Sequence, residues 1–248
     1  MLGSEGRFVT TRWSLVTNAQ QRDAKALPAD NVAADEALAD LCQTYWPAVY
    51  AFLRRDGKGR EEARDLAQGF FAKLLEKGWI ERADQDRGSF RAFLVTLLRR
   101  FVVGEHHREH SLRRGGAVQL VSISADDSKA WIEPASHATP EQAFEAAWVQ
   151  ALLDRVLDEL RQDYASRGQA GRFEALEPYL VAALEPAPFQ ALSASLGLAE
   201  SSCRVAVFRA RRRYRELLRG EIAATLGDHA GVDAELEALI FGEHDFPK

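Results

Sequence analysis

Apolar and polar residues alternate along most of this chain at helical spacing. From about Val32 to Arg55, Leu38, Leu41, Cys42, Tyr45, Val49 and Phe52 recur every three or four residues, which predicts an amphipathic helix bent at Pro47. After a break at 56–60, the stretch EEARDLAQGFFAKLLEKGW puts Ala63, Leu66, Phe70 and Leu74 on one face and Glu61, Asp65 and Gln68 on another. A polar loop, 81–88, precedes a third helix from Ser89 to about Arg108, with Phe90, Phe93, Leu94, Leu97 and Phe101 as its core stripe. Three such helices can enclose one core. Ahead of them, Arg7 to Ala19 reads as a short amphipathic turn capped by Thr10 or Thr11, followed by a loop.

The periodicity fails between His110 and Ala138, where RRGG, a short alternating piece, Asp126, Asp127 and Pro134 punctuate the chain, so this segment reads as a linker. Helical spacing resumes at Pro140, with Thr139 as cap, Gln142 as its reciprocal partner, and Trp148, Leu152, Val156 and Leu160 as the apolar stripe. Further helices are expected at Gly171 to Leu184, Phe189 to Leu196 and Ser201 to Arg219, then an acidic tail with a short helical stretch, Val232 to Ile240. The expected fold is all-α: two small helical domains joined by a flexible linker, with a short C-terminal extension. The expected boundaries are an N-terminal extension 1–31, a first domain 32–110, a linker 111–138, a second domain 139–220 and a tail 221–248.

Composition supports this. At 248 residues and 46% hydrophobic content the chain can fill two compact cores, and Ala, Leu, Glu and Arg, all helix formers, dominate it. A formal net charge of -5 argues against a protein that coats nucleic acid indiscriminately, so any DNA contact must be local. The two cysteines, Cys42 and Cys203, sit inside apolar helical patterns and read as small buried residues rather than a disulfide, which fits a reducing cytoplasm. No signal-peptide pattern and no apolar run of about 18 residues occurs, so a soluble cytoplasmic chain without membrane contact is expected.

The sharpest local chemistry lies in FQALSASLGLAESSCRVAVFRARRRYRELLR. A short helix, Gly197 suited to a left-handed turn, and a second helix opening at Glu200 to Ser202 have helix-turn-helix spacing. Cys203, Val207, Ala210, Tyr214 and Leu217 repeat at intervals of four and three as an inward face; Arg204, Arg211, Arg215 and Arg219 line the outward side, widened by Arg209, Arg212 and Arg213. Guanidinium groups bridge phosphate oxygens or the paired acceptors of guanine, so this helix reads as DNA-facing. Ser201, Ser202 and Arg204 are placed to reach bases, and Val205, Phe208, Arg209, Arg211, Arg212 and Arg215 complete the candidate surface.

In motif order the chain resembles the extracytoplasmic-function (ECF) sigma factors of bacterial RNA polymerase, in the sigma-70 family. EEARDLAQGFF is similar to sigma region 2.2, RGSFRAFLVTLLRRFV to region 2.3 and SSCRVAVFRARRRYRELL to region 4.2. The RWSLV, YWPAVYAFLRR and RRGG pieces are similar to a subgroup of long ECF-like factors. The resemblance implies a non-enzymatic protein without cofactors that binds core RNA polymerase and directs promoter-specific initiation. Glu61, Glu62, Asp65 and Gln68 would dock on the β′ clamp helices, with the β subunit as a further partner. Trp79, Arg87, Arg91, Arg99, Arg100 and Arg108 would hold the melted non-template strand at the -10 element, in a pocket shaped by the loop 78–89. The second domain would read the -35 element. Several positions depart from the family pattern: Arg64 stands where a further acid is frequent, Gly69 where a larger polar residue is, Phe93 for Trp, Arg100 for Asn, and Val205 and Ala206 for Ser and Arg. An anti-sigma factor, a kinase acting near the depleted acidic motif, or the acidic tail itself are the candidate regulators.

Two other readings compete. HHREH, from His106 to His110, matches the H-x-x-E-H pattern of inverted zinc peptidases, but it ends a basic helix and has no third ligand in sight, so no metal is expected. The stronger rival is a stand-alone helix-turn-helix regulator whose N-terminal domain senses a ligand or partner.

Overall fold

The structure, a computed structural model, describes residues 12–22, 31–76, 78–112, 138–181 and 189–225. The caps expected at Thr10 and Thr11, nearly all of the linker, the helical residues expected at 182–184, and the tail beyond 225 lie outside the described residues. What is described is helical, with no strand among the described residues. The helices are α1 Arg12–Gln20, α2 Val32–Arg55, α3 Arg60–Glu76, α4 Phe90–Leu112, α5 Pro140–Ser166, α6 Ala170–Leu176, α7 Pro178–Val181, α8 Phe189–Leu196 and α9 Glu200–Thr225, with short 3₁₀ turns at Trp79–Arg82 and Gln85–Arg87 between α3 and α4.

The chain divides into two compact units, the first running to Ala151 and the second from Leu152 to Ile222. In the first, α2 is buried along most of its length, Pro47 included in the helix, and aromatic side chains knit the helices together. Trp46 stacks on Phe71 at 5.6 Å and 16°, Phe70 meets Phe101 edge-on at 5.6 Å, and Phe90 makes T-shaped contacts with Tyr45 at 5.4 Å and Trp13 at 6.1 Å. The buried face of α3 is Ala63, Ala67, Phe70, Phe71 and Leu74. Ala67 and Phe71 thus take the place expected for Leu66, which is only half-buried, because the helix is covered on a wider arc than one stripe. Phe93 likewise lies at the margin of the core, where Leu98 and Val102 are buried instead. The N-terminal stretch is a helix with its own buried set, Trp13, Leu15, Val16 and Ala19.

Both interhelix caps follow from the sequence. Ser89 Oγ accepts from the Ala92 amide at 3.3 Å and starts α4. At α5, Thr139 Oγ1 accepts from the Gln142 amide at 3.2 Å while Gln142 Oε1 accepts from the Thr139 amide at 2.8 Å, a reciprocal capping box.

The division between the two compact units falls inside α5. Phe144 and Trp148 are buried in the first unit, and three arginines hold the start of α5 there. Arg55 donates to the Ala138 carbonyl, Arg99 pairs with Glu141 at 2.7 Å, and Arg91 pairs with Glu145 at 3.2 Å while lying 4.6 Å over the Trp148 ring. Burial would raise the Glu141 pKa, but the hydrogen bond from Arg99 and the further hydrogen bonds at the helix start outweigh it and hold the carboxyl below its ordinary value.

The second unit packs Leu176, Tyr179, Leu192, Cys203, Ala206, Val207 and Ala210 into one core. Both cysteines are free; burial pushes the Cys42 thiol up to about 12, which leaves it an unreactive packing residue.

Candidate functional site

On α3 the residues opposite the buried face form a polar surface. Glu61 is 87% exposed, with Arg64 at 4.0 Å; Glu62 and Asp65 are exposed and Gln68 is half-buried on the same side. Glu62 accepts from Lys58 at 2.9 Å, and this hydrogen bond, against a small opposing burial effect, keeps its pKa below the usual carboxylate value. The four expected partner-binding residues are therefore brought together on one exposed helix face. Gly69 adjoins them, and a Cβ there would meet only the Phe101 ring at 3.8 Å.

The residues expected to hold single-stranded DNA are spread over the two 3₁₀ turns, which carry Trp79 and Arg87, and α4, which carries the other four. Arg87, 85% exposed and 3.1 Å from Asp84, lines an open groove of about 640 Å³ with Glu81, Arg82, Ala83, Asp84 and Gln85 on one side and Trp13, Thr17 and Gln20 of α1 on the other. Trp79 is half-buried and does not line that groove; its neighbour Ile80 fills the core. The Arg91 side chain is 14% exposed and its guanidinium faces Glu145 and Trp148, where it holds the start of α5. Arg99, two turns later on the same side of α4, pairs with Glu141 for the same reason, although it remains 61% exposed. Arg100 is exposed, and Arg108 is about half exposed with Glu105 at 3.7 Å. Gln20 was not anticipated. Its amide donates to the carbonyls of Ile80 at 3.0 Å and Ala83 at 2.9 Å, tying α1 to the 3₁₀ segment, and no sequence pattern marks such a tether.

In the second unit, α8 and α9 are joined by a turn in which Gly197 has φ +63°, a left-handed conformation that a Cβ would strain. Ser193 Oγ donates to the Leu198 carbonyl at 2.5 Å, closing the turn. The inward face of α9 is Cys203, Ala206, Val207, Ala210 and Leu218. Ala206 is thus a core residue. The outward face carries Ser201, Ser202, Arg204, Val205, Phe208, Arg209, Arg212 and Arg215, all exposed. Arg204 lies 4.4 Å over the Phe189 ring, and Arg212 and Arg213 share Glu216 at 2.9 and 3.8 Å. Arg213 also has Asp163 of α5 at 4.0 Å, an acid that no count along α9 alone includes. Arg211 departs from the expected outward stripe: it is partly buried and donates to the Tyr179 carbonyl at 2.8 Å, because its position turns toward the chain at α7.

Residues 41–111 match the family model for sigma-70 region 2. The chain carries a sigma-70 region 2 domain. Sigma-70 region 2 implies binding of core RNA polymerase and promoter DNA, and the family it is drawn from is non-enzymatic. No curated protein and no solved structure matches the chain.

The region 2 span contains the acidic face of α3, both 3₁₀ turns and nearly all of α4. Helix α1 and the start of α5 lie outside it, yet both are built into the same compact unit, α1 through Trp13 and Gln20 and α5 through Phe144 and Trp148. At the end of α4, His106 and His107 are exposed, and the side chains of Glu109 and His110 lie outside the described residues. No helix among the described residues is long and apolar enough to cross a membrane.

Proposed function

We propose that the chain is an ECF-type sigma factor that joins core RNA polymerase through region 2 and anchors it on a promoter at two elements. The observation that carries this reading is the region 2 match, within which the exposed carboxylates of α3 stand on one face. Glu61, Glu62, Asp65 and Gln68 form the contact with the β′ clamp helices. Carboxylates on one helix face suit a basic partner surface, because complementary charge steers encounter and fixes register. Arg87, Arg100 and Arg108, on and after the 3₁₀ segment, meet the phosphates and bases of the open -10 strand, and Trp79 of the same segment offers a ring for stacking.

The pair α8–α9 is read as a region 4-like helix-turn-helix for the -35 element. Its support is the exposed basic face of α9 in a chain of net charge -5, where the positive charge is concentrated rather than spread. Gel filtration of the full chain with core polymerase tests the assignment. Comigration at micromolar concentration is expected, and Asp65→Arg should weaken it while DNA binding by the second unit survives. A chain that binds promoter DNA but never comigrates with core polymerase would instead be a stand-alone regulator.

A further inference from the structure

Phe208, 67% exposed, is the most exposed large apolar side chain among the described residues, and Val205, one turn before it, is 49% exposed. Both lie on the outward stripe of α9, which begins at Ser201 and continues through Arg212 and Arg215. Arg204 and Arg209 flank them, both exposed. The first turns of this face therefore set two apolar groups among Ser201, Ser202 and Arg204, and the later turns present guanidinium groups. The order suits a partner that is anionic along its edges and apolar at defined points between them. The major groove of DNA has this chemistry: phosphates line its rims, and thymine alone of the four bases presents a methyl group on its floor.

The following rests on the reading of α8–α9 as a DNA-binding helix-turn-helix. We propose that Val205 and Phe208 read thymine by packing on 5-methyl groups in the major groove, while Arg212 and Arg215 hold the neighbouring phosphates. In a helix inserted by its N-terminal end, the first turns face base edges and the later turns face the backbone, in agreement with this order. Side chains three residues apart stand about 5–6 Å from each other. Base pairs rise about 3.4 Å per step, so the two contacted methyls belong to base pairs one or two steps apart.

The test uses the full chain, alone and with core polymerase, to select duplexes from a randomised library. The selected duplex is then rebuilt with deoxyuridine replacing thymidine at one position at a time, which deletes only the methyl group. Two thymines one or two steps apart should each lose about fourfold in affinity on replacement, the factor for burying one methyl-sized group. The exposed variant Val205→Ser with Phe208→Gln should bind thymidine and deoxyuridine duplexes equally at those positions, with unchanged helix content. If selection succeeds and deoxyuridine costs nothing, thymine reading is wrong while DNA binding stands. If thymine sensitivity persists in the variant, these residues are not its source and the proposal is likewise overturned. If no duplex is selected under either condition, the helix-turn-helix reading fails and this inference fails with it.

Discussion

Arg91→Met removes the cation that holds the start of α5 in the first unit. The side chains of Arg91 and Glu145 are 14% and 13% exposed at a separation of 3.2 Å. At an effective dielectric constant of about 20, that separation corresponds to about 5 kcal/mol of attraction, much of it offset by desolvation of the two charges. Removing one partner leaves Glu145 in its low-exposure site without this cation, a change that typically costs about 3–5 kcal/mol. The pair is not wholly dry, so the lower end, about 3 kcal/mol, is expected, including the loss of the contact over Trp148. All five tryptophans precede Ala151, so tryptophan fluorescence during urea unfolding follows the first unit. With a slope of about 2 kcal/mol per molar urea, the midpoint should fall by about 1.5 M. Replacing Glu145 by Met as well should bring stability back to within about 1 kcal/mol of the parent, because an apolar pair of similar volume carries no desolvation cost. A single variant losing less than about 1 kcal/mol, or a double variant no better than the single, would refute this account of Arg91.

Gly69→Ala should stabilise the first unit by about 0.5–1 kcal/mol in the same urea assay, since alanine favours helix and its Cβ meets Phe101 at an ordinary 3.8 Å. Gln20→Ala should speed amide hydrogen exchange across 79–87 by removing two hydrogen bonds, and Gln20→Glu should do so more strongly, because an ionised carboxylate would face two carbonyl oxygens; unchanged exchange in both would exclude the tether. The Glu62 carboxyl should titrate below the usual carboxylate range by NMR and return to it in Lys58→Met. Since its folded pKa is lowered, its contribution to stability is present above the unfolded pKa and lost as pH falls through the folded one; an unaltered titration in Lys58→Met would contradict the Lys58 hydrogen bond as the cause.

The elements that periodicity placed well are those whose apolar stripe and cap are both local. The α2 stripe begins and ends with the helix, Val32–Arg55, and the Thr139–Gln142 box sits three residues apart in the chain. Gly197 takes the left-handed turn that its residue type favours. What was illegible depends on distant partners. The stripe Phe144, Trp148, Leu152, Val156 and Leu160 is continuous, so it marks the buried face of α5 but not that two different cores share it. Arg91 and Arg99 read as nucleic-acid contacts because an arginine on a basic helix looks solvated until Glu145 and Glu141 are brought beside it. Ala206 occupies a position that reads as part of a DNA-contacting motif, yet the arc of α9 covered by the core is wide enough to bury it. The acidic face of α3 was legible because it needs only the helical period.

The central claim is that this chain confers promoter choice on core RNA polymerase. In vitro transcription with purified core polymerase on fragmented DNA from the source genome measures this directly. The account predicts discrete transcripts only when the chain is added, initiating downstream of shared -10 and -35 elements, and strongly reduced by Asp65→Arg. Transcripts identical with and without the chain would contradict it.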